Sequence, residues 1–228
     1  MTDLINEFVK VRNVELVEKS KRFFKTGKGE YAENDRFIGL TVPQVRYFVK
    51  NYCKILNLKD IEFYIKNEYH EIRLFAILCL VEKFEKSKIF KEKEEIVNFY
   101  LNNVKYVNNW DLVDLSCYKL LGRYCFENNK DDILYNLSKS GNLWKERISI
   151  VSTMFYIKRS SFDITLYLCK YFLNHKHHLI HKACGWMLRE IGKKDEKVLL
   201  DFLNKYKDKM PRIMFGYAKE RLNINYFD

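Results

Sequence analysis

Apolar residues recur at three- and four-residue spacing along almost the whole chain, the pattern of helices that each bury one face. Nowhere does β-branched alternation sit between hairpin turn signals, and only two prolines and eight glycines punctuate 228 residues. An all-α protein is therefore expected. A first helix is predicted from Thr2 to Phe24, followed by the break TGKGE and a crossing segment, YAENDRFIGL. Thr41 is the expected N-cap, and Pro43 the first-turn residue, of a helix reaching to about Leu56. Further helices are predicted over 58–67, 71–86, 88–104, 110–126, 130–139, 143–158, 162–174, 178–192, 195–206 and 211–222.

Short helices joined by short loops pair up, and the pairs repeat weakly. HEIRLFAILCL, LWKERISIVST and LIHKACGWMLRE each set a basic residue, Arg73, Arg147 or Lys182, near the helix start and ahead of apolar positions. Separations of 74 and 35 residues fit two periods and one period of roughly 35–37, a little short of the roughly 40–47 of HEAT-type units. The expectation is a single domain over 1–228, a solenoid of HEAT-like antiparallel helical pairs whose long concave surface suits an extended ligand.

Polar residues intrude on three of the apolar faces. In WDLVD, Trp110 and Asp114 lie four residues apart and share a helical face, which would continue through Cys117 and Leu121 with Val113, Leu120 and Tyr124 on its shoulder. An unpaired carboxylate on an apolar face costs several kcal/mol. Asp114 is therefore expected to be paired, to be neutralised, or to border a groove that a partner enters. On the helix from Leu143, Arg147 points among Leu143, Ile150, Val151 and Met154. On the helix from His178 the apolar arc holds Leu179, Ile180, Ala183, Met187 and Ile191. Gly185 falls between Lys182 and Arg189 on a basic arc, and Trp186 stands at the border.

Charge narrows the ligand. Lys plus Arg number 41 against 30 for Asp plus Glu, a net charge of +11 spread along the chain, which points to a polyanion or an acidic partner, and the concave surface is expected to be basic. The same charge also serves solubility. Six cysteines, at 53, 79, 117, 125, 169 and 184, stand singly without CxxC or Cys/His spacing and read as reduced core thiols. His175, His177, His178 and His181 cluster without acidic or thiol companions at ligand spacing, so they read as loop and surface side chains rather than a zinc site. The opening MTDLINEFVK has no hydrophobic targeting core, and no apolar run reaches the length of a membrane span. A soluble cytoplasmic protein is expected, not secreted, nucleoid-associated when acting, with no membrane partner. No heptad seam is present, which favours a monomer.

If the pairs stack in register, Trp110, Asp114, Arg147 and Trp186 converge. One outcome is a buried Asp114–Arg147 ion pair. Another acquires chemistry if the ligand is DNA. Arg147, Lys182 and Arg189 would hold phosphates, while two rings and a carboxylate form a pocket for positive charge. Breaking an N-glycosidic bond places such charge on the sugar, and a base that is already cationic leaves without a general acid.

FIGLTVPQVR (37–46), WDLVD, LWKERISI (143–150), LIHKACGWMLREIGKKDE (179–196) and MPRIMFGYAKERL (210–222) resemble the AlkD-like DNA alkylation repair proteins, a family of HEAT-like-repeat DNA glycosylases. The resemblance implies catalytic roles for Trp110 and Asp114 through WDLVD, for Arg147 through LWKER and for Trp186 through GWMLRE. Tyr31, in YAENDRFIGL, is similar to a family tyrosine near the lesion. Lys158, Lys182 and Arg189 are candidate DNA contacts. The implied activity is excision of N3- and N7-alkylated purines from duplex DNA, leaving an abasic site. It needs no metal or organic cofactor, and the damaged base need not be flipped. The rival readings are a non-catalytic helical-repeat protein that binds nucleic acid and a protein-binding adaptor.

Overall fold

The structure, a computed structural model, describes residues 2–222. Helices account for its regular structure. The extended backbone contributes one isolated parallel bridge, between Arg36 and Tyr69, among the described residues. No helix there is long and apolar enough to cross a membrane. The chain divides into two compact units, Met1–Ser116 and Cys117–Asp228.

The first unit contains α1 (Thr2–Lys10), α2 (Val14–Phe23), α3 (Val42–Tyr52), α4 (Leu58–Ile65), α5 (His70–Lys86), α6 (Phe90–Asn102) and α7 (Trp110–Asp114). Its centre is α5, which packs against α3, α4, α6 and α7 and is buried along most of its length. Phe8 stacks on Phe48 at 4.0 Å and meets the edge of Phe75 at 5.4 Å, so α1 closes over the α3–α5 seam. The helix predicted from Thr2 to Phe24 is two. Asn13 accepts the Leu16 N–H at 3.0 Å as an N-cap and donates its own N–H to Ile38 O, which stops α1 where periodicity alone continues it. Thr41 starts α3 as expected, with the Gln44 side chain accepting its N–H at 2.8 Å and Pro43 in the first turn.

The second unit contains α8 (Arg123–Asn128), α9 (Asp131–Ser138), α10 (Leu143–Ser152), α11 (Met154–Ile157), α12 (Asp163–Tyr171), α13 (His178–Gly192), α14 (Glu196–Tyr206) and α15 (Arg212–Lys219). Here α13 is central and packs against α10, α12, α14 and α15. Two predicted helices are broken by hydroxyls that bond backwards. Thr153 Oγ1 donates to Ile150 O at 2.7 Å between α10 and α11, and Ser116 Oγ to Leu112 O at 2.6 Å beyond α7. A wider π-turn follows at Tyr118–Gly122. The expected face from Asp114 through Cys117 to Leu121 is consequently not one continuous α-helical face.

Candidate active site

The candidate residues fall in both units, and each group is built by its own neighbours. In the first unit the Asn109 side chain accepts the Trp110 N–H at 2.8 Å and fixes the start of α7. Its amide donates to Asp35 at 2.9 Å, tying that start to the loop ahead of α3. Trp110 heads the helix and Asp114 ends it, one turn apart and both half-buried. The Trp110 indole stacks on Phe24, ring centres 5.3 Å apart, and exposed Phe23 meets it edge-on at 5.4 Å. Phe24 also faces His70 at 4.9 Å and Phe37 at 5.2 Å. Tyr31 lies half-buried in the turn between α2 and α3.

Beneath this stack lies an ionic cluster that reading the sequence alone missed. His70 Nε2 is 2.8 Å from Asp111 Oδ2 and Nδ1 is 3.2 Å from Asp35 Oδ2, while Arg73 donates to the other Asp35 oxygen at 2.6 Å. All four side chains are buried. Burial opposes charge on His70, but Asp111 by charge and hydrogen bond, and then Asp35, outweigh it and raise the imidazole pKa to about 9. Burial also works against Asp35, and His70, Arg73 and Asn109 outweigh it, holding that carboxyl below its ordinary value. Glu71 completes the layer by accepting the N–H groups of Ile38, Gly39 and Leu40 at 2.9, 2.8 and 3.2 Å. The acid of WDLVD that the fold buries is thus Asp111, 7% exposed, and not Asp114. The signal was present, since WDLVD carries two acids, but the partners of Asp111 come from elsewhere in the chain.

In the second unit Arg147 is 5% exposed and donates to Leu179 O at 2.6 Å, so part of its guanidinium is committed to seating α13 against α10. Arg189 is bonded to Glu220 and lies 3.6 Å from Glu190, its charge already answered by carboxylates. Exposed Lys158 sits 4.7 Å over the Tyr118 ring. Lys182 and Trp186 are half-buried on α13. Gly185, expected on a basic arc, is instead buried where α13 meets α15. The histidines cap rather than decorate. His177 Nδ1 accepts the Leu179 N–H at 3.2 Å, His175 Nδ1 accepts the His177 N–H at 3.0 Å, and His175 Nε2 donates to Glu146 at 3.0 Å. His181 is buried, contrary to the surface placement expected for it. Among the described residues no group of three His, Cys, Asp or Glu side chains is placed to hold a metal ion.

The family model for the DNA alkylation repair enzyme matches residues 4–222. A solved structure described as a predicted DNA alkylation repair enzyme from Enterococcus faecalis shares the fold, with a TM-score of 0.73 and 17% identity over 93% of this chain and 97% of that one. No curated protein matches the chain. A family match running through both units, on an all-helical fold shared with that structure, means that the chain belongs to the DNA alkylation repair enzyme family.

Proposed function

We propose that the protein is a monofunctional DNA glycosylase that hydrolyses the N-glycosidic bond of N3- and N7-alkylated purines in duplex DNA and leaves an abasic site. The observation that supports this reading best is α7. One helical turn presents an indole and a carboxylate side by side, both reachable by solvent, with the indole stacked on Phe24. An electron-rich ring and an anion favour the sugar cation over the neutral sugar, so they act on the transition state. The alkylated base leaves neutral from a cationic ground state, and a water placed by Asp114 completes hydrolysis by adding to the sugar carbon and giving up its proton to solvent. Trp110 and Trp186 are the sugar-facing rings. Arg147 is the cation of the site and grips a phosphate. Tyr31, Lys158, Lys182 and Arg189 contact DNA, Arg189 only by exchanging a carboxylate for a phosphate. The protein acts as a monomer without a cofactor, and the six buried cysteines, none in a disulfide, fit a cytoplasmic setting.

The test is release of 7-methylguanine and 3-methyladenine from methylated duplex DNA, followed by chromatography of the freed bases. The wild type releases them. Asp114→Asn loses release by roughly 10²- to 10³-fold while keeping its affinity for DNA. Binding without release by the wild type would assign the protein to the non-catalytic reading, and undiminished release by Asp114→Asn would remove the acid from the mechanism.

A further inference from the structure

We infer that His70 is a positioning residue for the proposed site: its imidazole, clamped between Asp35 and Asp111, sets the placement of Trp110. The inference rests on the glycosylase reading for its catalytic consequence, but not for its structural one.

The geometry gives two routes from His70 to the indole. Through hydrogen bonds, His70 Nε2 holds Asp111 at 2.8 Å. The other oxygen of Asp111 accepts the Leu112 N–H at 2.8 Å, so the imidazole is fastened to the first turn of the five-residue helix that begins with Trp110. Through rings, Phe24 lies 4.9 Å from His70 and 5.3 Å from Trp110 and transmits the ring position. A helix of one turn has too few internal hydrogen bonds to hold its own orientation. Beside the burial of Leu112 and Val113, α7 is held by this side-chain anchorage together with Asn109, which bonds both Trp110 N and Asp35.

Charge makes the clamp conditional. Facing the imidazole are Asp35 from the loop before α3 and Asp111 from α7. Arg73, one turn along α5, is engaged with Asp35, and Glu71 is turned to the amides of residues 38–40. With His70 protonated, both ring nitrogens donate and each aspartate has a charged partner. Once the proton is lost one nitrogen has nothing to donate, and a buried carboxylate loses its bond. That loss sets in near pH 9.

The experiment follows the Trp110 indole N–H by proton–nitrogen NMR in the full-length protein, assigned with Trp110→Phe, from pH 7 to 10.5, alongside single-turnover base release at the same pH values. Expected for the wild type is a Trp110 resonance that moves with a midpoint near 9, and a release rate, read with the DNA saturated by protein, that falls roughly 10- to 100-fold over the same interval. In His70→Gln the resonance is displaced already at pH 7, release is slowed with affinity retained, and the limb near pH 9 is gone. A purely structural role would lower the melting temperature and leave both the resonance and its pH response in place. A flat Trp110 titration in the wild type, or an unmoved resonance in folded His70→Gln, overturns the inference. Absence of release by the wild type counts against the glycosylase reading alone, because the resonance still decides the role of His70.

Discussion

Arg147 Nη1 donates to the backbone oxygen of Leu179 at 2.6 Å, joining α10 to the first turn of α13 through a side chain only 5% exposed. A guanidinium at that depth is first a piece of the fold. Arg147→Ala removes a buried hydrogen bond and opens a cavity, and should lower the unfolding free energy by about 2–4 kcal/mol in urea denaturation. A loss below about 0.5 kcal/mol, typical of surface positions, would show that the side chain serves the ligand alone.

Gly185 and Met214 are a second close pair. A Cβ on Gly185 would stand 2.5 Å from Met214 O and 2.6 Å from Tyr217 Cβ, so α13 and α15 approach as closely as they do only because that atom is missing. Gly185→Ala must push the helices apart and should cost about 1–3 kcal/mol. Gly216, on exposed α15 surface, has nothing within 4 Å of such a Cβ. Gly216→Ala should therefore stabilise by about 0.5–1 kcal/mol through helix propensity. The two changes should shift the melting temperature in opposite directions.

The buried histidine makes stability fall on the alkaline side. His70 titrates near 6.5 when unfolded and near 9 when folded, so its full contribution is present below pH 6.5. Between 6.5 and 9 the unfolded chain sheds the proton first, and on the order of 3 kcal/mol is lost by the time the folded state follows. On the acid side, burial, followed by nearby charge, holds His177 and His181 below the usual value, so their contribution is present above pH 6.5 and lost below it. The carboxyl of Asp35, depressed in the fold, adds a further loss on acidification below its unfolded range near pH 4. Denaturation midpoints at pH 5, 6.5, 8 and 9.5 should therefore peak near 6.5, and His70→Gln should flatten the alkaline limb.

The basic residues should not contribute equally to DNA binding. Lys158→Ala, which removes an exposed charge, should reduce the slope of log K against log salt by about 1. Arg189→Ala should change the slope by much less, because Glu220 and Glu190 already balance that charge. Fluorescence anisotropy on a short duplex between about 50 and 200 mM salt separates the two. Equal slopes for both variants would mean that Arg189 leaves its carboxylates for phosphate.

Local pattern alone determined that the chain is helical, where most helices lie, that Thr41 opens one, and that Trp110 and Asp114 share a turn, because helix periodicity and capping are written within a few residues of one another. Whole segments such as WDLVD and GWMLRE carried enough of that pattern to point to the family. The breaks at Asn13, Ser116 and Thr153 escaped detection because an apolar repeat does not reveal which side chain bonds to the backbone. Only tertiary structure decided that Asp111 is the buried acid, that Arg147 is seated on Leu179, that Arg189 is answered by Glu220 and that Gly185 is a packing contact. The physical reason is separation along the chain. His70 meets Asp35 and Asp111 across 35 and 41 residues, Arg147 meets Leu179 across 32 and Arg189 meets Glu220 across 31, and such pairings exist only once helices have packed.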